Sequence, residues 1–89
     1  MKLQENEIIC LEELYDNNEF ILTFKSIIKE TKLTSRQVKR AVRSLVKQGK
    51  VSRETAWDEE GFIRGSGFII EYETYKKMWK EKENPELLT

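Results

Sequence analysis

Between Thr34 and Gly49 the segment TSRQVKRAVRSLVKQG specifies a helix at both ends and on both faces. Thr34 and Gln37 stand in the S/T-x-x-E/Q relation of a capping box, and Leu33 and Val38 occupy the two positions of a hydrophobic staple. Gly49 follows the last periodic residue and supplies the stop. Val38, Ala41, Val42, Leu45 and Val46 recur at i, i+3, i+4, i+7 and i+8, the pattern of a stripe that must be buried. At 100° per residue the opposite side is centred on Arg40 and Lys47, with Arg36, Gln37, Arg43 and Ser44 around it. The chain must therefore cover one side of this helix with its remaining residues and leave a cationic side in water.

Those remaining residues read as a small mixed domain. Asn6 is an N-cap candidate for a first helix in which Ile8, Leu11, Leu14 and Tyr15 face inward, acidic residues face outward and Cys10 is a small buried residue. The run Asp16-Asn17-Asn18 breaks it, and Phe20-Ile21-Leu22 reads as a brief strand. Thr23 is placed to cap a second helix carrying Phe24, Ile27 and Ile28 on one face and ending near Thr31-Lys32. After Gly49, Lys50 to Trp57 and Phe62 to Glu71 read as a β-hairpin turning at Asp58-Glu59-Glu60-Gly61. Trp57 is expected to pack on it, and Gly65-Ser66-Gly67 to mark a bulge or twist. Thr74 to Lys82 has helical periodicity through Tyr75, Met78 and Trp79, closing at Asn84-Pro85. The fold class is thus α+β, with one domain over 1–83 and a frayed tail over 84–89. Eighty-nine residues suit one domain, and Leu, Ile, Val and Phe at 24 positions clear the roughly 20% that a folded core needs.

Charge is the second constraint. The net formal charge is zero, yet Lys25 to Arg53 hold ten basic residues against Glu30 alone, while both flanks are acidic. Segregation of this kind creates a local field that attracts a polyanion, because salt screens charges over about 8 Å. A merely solubilising surface would mix the signs. The chain has no histidine and one cysteine, so an internal disulfide, a zinc site and histidine-based nucleophilic catalysis all lack their parts. Carboxylate pairs such as Glu12-Glu13 and Glu59-Glu60 are sequence neighbours that geometry does not aim at a shared substrate. The reading is a non-enzyme without metal or cofactor. No apolar run approaches the ~20 residues that span a bilayer, which gives a cytoplasmic expectation with no membrane partner.

The order helix, short strand, helix, helix, hairpin resembles the winged helix-turn-helix DNA-binding family of small bacterial and phage regulators. The resemblance runs from about Asn6 to Glu71 and is most specific over Leu33 to Val51, which resembles a recognition helix running into the first wing strand. It implies a three-helix core with a short strand and a hairpin wing, to which the periodicity of Thr74 to Lys82 adds a C-terminal helix, with the third helix entering the major groove of double-stranded DNA. Arg36, Gln37 and Arg40, with Ser44 as a shorter fourth, are then the candidates for base contacts. Lys25, Lys29, Lys32, Thr34, Lys39, Arg43, Lys47, Arg53 and Arg64 are the candidates for phosphate contacts.

Wings of this family usually present Arg or Lys near the tip, whereas this tip is Asp58-Glu59-Glu60, which phosphate would repel. The tip is expected to stay out of a DNA groove and suits a basic protein partner. Tyr72, Tyr75, Met78 and Trp79 either complete the core or form a homodimer contact, which would set two recognition helices about 34 Å apart on an inverted repeat. Three functions follow from the sequence: a transcriptional regulator that acts by occupying DNA, a protein-interaction module of the phage inhibitor or adaptor type, and a replication-initiation DNA-binding protein.

Overall fold

The computed structural model describes residues 2–83, with no account of the side chains of Ala56 and Arg64. Its elements run in the order α1 (Glu5–Asp16), α2 (Phe24–Thr31), α3 (Ser35–Lys47), β1 (Val51–Trp57), β2 (Ile63–Ile70) and α4 (Tyr72–Lys82). The expected tail over 84–89 lies outside the described residues.

Helix α3 forms as its sequence dictates. Thr34 Oγ1 accepts the Gln37 backbone N–H at 3.1 Å, and Gln37 Oε1 accepts the Thr34 N–H at 2.9 Å, closing the capping box. At the other end Gly49 takes φ 76°. Its N–H donates to Val46 O and the Lys50 N–H to Leu45 O, each at 3.0 Å, the paired bonds of a Schellman motif. Val38, Ala41, Val42 and Leu45 are buried, and each of the three larger ones contributes roughly 1.5–3 kcal/mol of apolar burial. They meet Leu11 and Leu14 of α1, Ile27 of α2, and Val51, Phe68 and Ile70 of the hairpin in one core.

Helix α1 differs from expectation at two points. It begins after Gln4 rather than Asn6, because Glu7 stands three residues beyond Gln4 and its Oε1 accepts the Gln4 N–H at 2.7 Å. Its inward stripe is Glu7, Cys10, Leu11, Leu14 and Tyr15, whereas Ile8 is 44% exposed. An acidic residue therefore occupies a core position that the hydrophobic pattern had assigned to its neighbour.

The hairpin is antiparallel and pairs Val51 with Ile70 and Ala56 with Gly65, but Trp57 with Ile63, leaving Arg64 as an extra residue in a bulge. Gly65 takes φ 119°, so the glycine-rich stretch does mark the bulge. Of the expected strand Phe20-Ile21-Leu22, only Leu22 pairs, exchanging both backbone hydrogen bonds with Phe68 at 2.8 and 2.7 Å. Gly67 permits this crossing, since a Cβ there would lie 2.3 Å from Ile21 Cγ2. Helix α4 starts at Tyr72, two residues earlier than expected, and packs on α1 through stacked Tyr15 and Tyr75 rings 5.3 Å apart and a 3.0 Å Lys82–Glu12 ion pair.

Candidate nucleic-acid interface

Helices α2 and α3 are joined by the three residues Lys32-Leu33-Thr34. Thr23 Oγ1 accepts the Ser26 N–H at 3.2 Å and so caps α2, as the sequence implied. Lys32 closes the helix in the left-handed region, φ 62°, with its N–H on Ile28 O. Thr31 Oγ1 donates to Ile27 O at 2.7 Å and holds the turn from the inside. This short, locally bonded corner fixes α3 on the surface with its apolar stripe inward.

The other side of α3 is open. Arg36, Gln37, Lys39, Arg40, Arg43 and Lys47 are all exposed, as are Lys25 and Lys29 from α2 and Lys32 and Thr34 at the corner. The Lys39 ammonium and the Arg43 guanidinium each lie 5.9 Å from the Phe24 ring centroid, which gathers two long side chains about one aromatic ring. Arg43 and Arg53 converge on a hollow of about 140 Å³ lined also by Phe24, Val46 and Phe68. The fold thus joins two cations from α3 and β1 that are ten residues apart in sequence. Arg53 also donates to Ser66 Oγ at 3.1 Å. The side chain of Arg64 lies outside the described residues.

Ser44 stands apart from the other base-contact candidates. It is half-buried, and its hydroxyl donates to Glu7 Oε2. Gln48 Nε2 donates to the same carboxylate oxygen at 2.9 Å and to Ser44 Oγ at 3.1 Å. Glu7 is only 6% exposed. The Ser44 hydrogen bond and then the Gln4 N–H hold its carboxyl below the ordinary range, outweighing the opposing effect of burial. Glu7 was expected among outward-facing acids. Its place in the i, i+3, i+4, i+7 series with Cys10, Leu11 and Leu14 is the signal that marks it as inward. Glu7, Ser44 and Gln48 form part of the wall of a groove of about 680 Å³ between the start of α1 and α3, which Lys2, Gln4, Asn6, Arg36 and Arg40 also line. Nothing in the sequence pattern singled out Lys2, Gln4 or Asn6 for this position.

The wing tip corrects another expectation. Trp57, expected to pack on the hairpin, is 59% exposed, and Phe62 and Ile63 beside it are 66% and 65% exposed. Asp58 organises the turn, its Oδ1 accepting the Glu60 and Phe62 N–H groups at 3.0 and 2.9 Å. Glu59 and Glu60 remain exposed beside the apolar cluster. On α4 the aromatic stripe divides, Tyr75 and Met78 packing on the core while Tyr72 and Trp79 are exposed. Cys10 is fully buried, and loss of solvation pushes its thiol up to about 11. Among the described residues no cluster of side chains suits a metal ion, and no helix is long and apolar enough to cross a membrane.

No family model and no curated protein sequence matches the chain. Solved structures do. The DNA complex of Staphylococcus aureus MepR superposes with a TM-score of 0.69 at 20% identity, covering 97% of this chain and 72% of that one. A variant of Lactococcus lactis ZitR gives 0.70 at 18% identity, over 99% of this chain and 56% of that one. The ferric uptake regulator of Francisella tularensis, solved with iron, gives 0.66 at 13% identity, over 81% and 55%. The chain therefore spans little more than half of the last two proteins. Four helices and a two-stranded antiparallel hairpin in this order make the fold a winged helix-turn-helix, with α2 and α3 as the helix-turn-helix and the hairpin as the wing.

Proposed function

We propose that this chain is a sequence-specific double-stranded DNA-binding protein, a transcriptional regulator that acts by occupying its site and not by chemistry. One observation carries the reading: the cationic side of α3 is exposed along the helix while the opposite side forms the core. Arg36, Gln37 and Arg40, near the N-terminal end of α3, are assigned to base edges, where Arg pairs with guanine and Gln with adenine in two-bonded contacts. Lys39, Arg43, Lys47 and Thr34 are assigned to phosphate, with Lys25 and Lys29 from α2, Lys32 from the corner and Arg53 and Arg64 from the wing. The convergence of Arg43 and Arg53 on one hollow supports a phosphate held between α3 and the wing base. MepR, a transcription regulator of a multidrug efflux pump, has been solved on DNA, which supports the same use of the fold here. The exposed Tyr72 and Trp79 on α4 are assigned to a homodimer contact, and the protein to the cytoplasm.

Selection on randomised duplexes tests this reading. A single motif should emerge, and affinity should fall by orders of magnitude between about 50 and about 200 mM salt. No enriched motif, with affinity indifferent to salt, refutes it.

The exposed apolar cluster Trp57, Phe62 and Ile63 beside Glu59 and Glu60 favours a second reading at a different surface. Phosphate repels such a tip, whereas a protein surface with an apolar centre and a basic rim complements it. Under this reading, Trp57→Ala with Phe62→Ala abolishes protein partnership and leaves DNA affinity intact. DNA affinity that falls with the pair refutes it.

A further inference from the structure

Arg36, Arg40 and Ser44 lie four residues apart on one row of α3, the first two exposed and Ser44 half-buried, so a free hydroxyl at Ser44 would extend the row of groups facing a DNA groove. A serine hydroxyl has a single proton to donate. Here that proton goes to Glu7 Oε2, and Ser44 Oγ accepts from Gln48 Nε2 at 3.1 Å. The acceptor is the Glu7 carboxylate, only 6% exposed on the wall of the groove between α1 and α3, which also receives the Gln48 amide and, through Oε1, the Gln4 N–H. Hydrogen bonds to an ionised acceptor are roughly twice as strong as neutral ones, so a base edge competes poorly for the same hydroxyl. The contact spans 37 residues and joins α1 directly to the middle and end of α3.

We propose that Glu7 is a specificity-determining residue of DNA reading that acts through Ser44, keeping its hydroxyl from the bases and fixing α3 against α1. The proposal rests on the DNA-binding reading above. Glu7 is assigned as a positioning residue, acting through its hydrogen bonds to Ser44 and Gln48. Base discrimination is thereby left to Arg36, Gln37 and Arg40, and an element outside the helix-turn-helix decides which side chains take part.

The test compares motifs selected from randomised duplexes by the wild type, Ser44→Ala, Glu7→Ala, Glu7→Gln and the Glu7→Ala/Ser44→Ala pair, each checked for folding by circular dichroism. Ser44→Ala alone should leave base preference unchanged. Glu7→Ala should alter preference at one base pair by about 2- to 10-fold, the range of one hydrogen bond, and adding Ser44→Ala should remove that change. Glu7→Gln keeps a side-chain oxygen that accepts from Ser44 and Gln48 and should retain the wild-type motif. A motif that shifts with Ser44→Ala alone overturns the proposal. So does a Glu7→Ala variant that weakens every sequence by the same factor. A second measurement needs no DNA: the Glu7 carboxyl, followed by NMR, should titrate below the ordinary range in the wild type and move up in Ser44→Ala. An unmoved midpoint overturns the proposal even if the DNA reading stands. Absence of any wild-type motif overturns the DNA reading and this proposal together, whereas a motif without the Glu7 and Ser44 dependence overturns this proposal alone.

Discussion

Replacing Gly67 with alanine probes the contact that pins the wing to the helical body. The added methyl would lie 2.3 Å from Ile21 Cγ2 and 3.2 Å from the Leu22 carbonyl oxygen. Carbon atoms in contact sit about 3.5–4.0 Å apart, so the Ile21 side chain must retreat by more than about 1 Å. Ile21 is 37% exposed and has room to turn outward, but the Leu22 carbonyl is backbone and already holds the Phe68 N–H at 2.7 Å. Overpacking of this kind costs about 1–3 kcal/mol, against which the reduced freedom of the unfolded chain returns about 0.4–1 kcal/mol. The net loss is about 1–2 kcal/mol, which for a domain of this size lowers Tm by roughly 5–15 °C in thermal unfolding followed by circular dichroism. Truncating the obstacle should help: Ile21→Ala in the Gly67→Ala background should cost less than Ile21→Ala alone, by about 1 kcal/mol. If Gly67→Ala melts at or above the wild-type temperature, or the two substitutions are additive, the Leu22–Phe68 crossing does not hold the wing as described.

Three further outcomes follow from the site. Arg40→Ala should cost roughly 1–3 kcal/mol on the selected duplex and relax the preference at one base pair, whereas Lys47→Ala should weaken all sequences alike and flatten the logarithmic salt slope by about one, both read by fluorescence anisotropy. Because Glu7 is held below its unfolded value, its contribution to stability is complete above the unfolded carboxylate pKa, about 4.3, and is lost as pH falls through the folded one. Urea melts of Glu7→Gln should therefore show a flatter acid limb than the wild type, and an unchanged limb would count against the buried hydrogen bonds. Lys32→Gly should raise stability by up to about 1 kcal/mol by relieving a side chain at φ 62°, and a loss on urea denaturation would argue against that corner.

Helix α3 was legible because each of its determinants is local: the box between Thr34 and Gln37, the staple of Leu33 with Val38, and Gly49 at the stop all act within five residues. The hairpin and its bulge were legible for the same reason, through Asp58 to Gly61 and Gly65 to Gly67. What escaped the sequence depends on tertiary placement. Glu7 reads as a surface acid until α3 brings Ser44 and Gln48 over it, and only its place in the stripe with Cys10, Leu11 and Leu14 betrays it. Trp57 reads as a packed wing residue because large apolar side chains mostly are, yet it stands exposed at the bulged end of the hairpin beside Phe62 and Ile63. The convergence of Arg43 and Arg53 beside Phe24 depends on how the wing base meets α3, which residue spacing does not encode.

The Schellman closure at Gly49 delivers the chain to Lys50, whose carbonyl accepts the Glu71 N–H at 3.0 Å just before α4 begins. Three levers therefore share one fulcrum: the end of α3, the root of the hairpin and the head of α4. If the protein binds DNA as proposed, a partner held at the exposed Tyr72 or Trp79 would bear on the end of α3 and the root of the hairpin through this one junction.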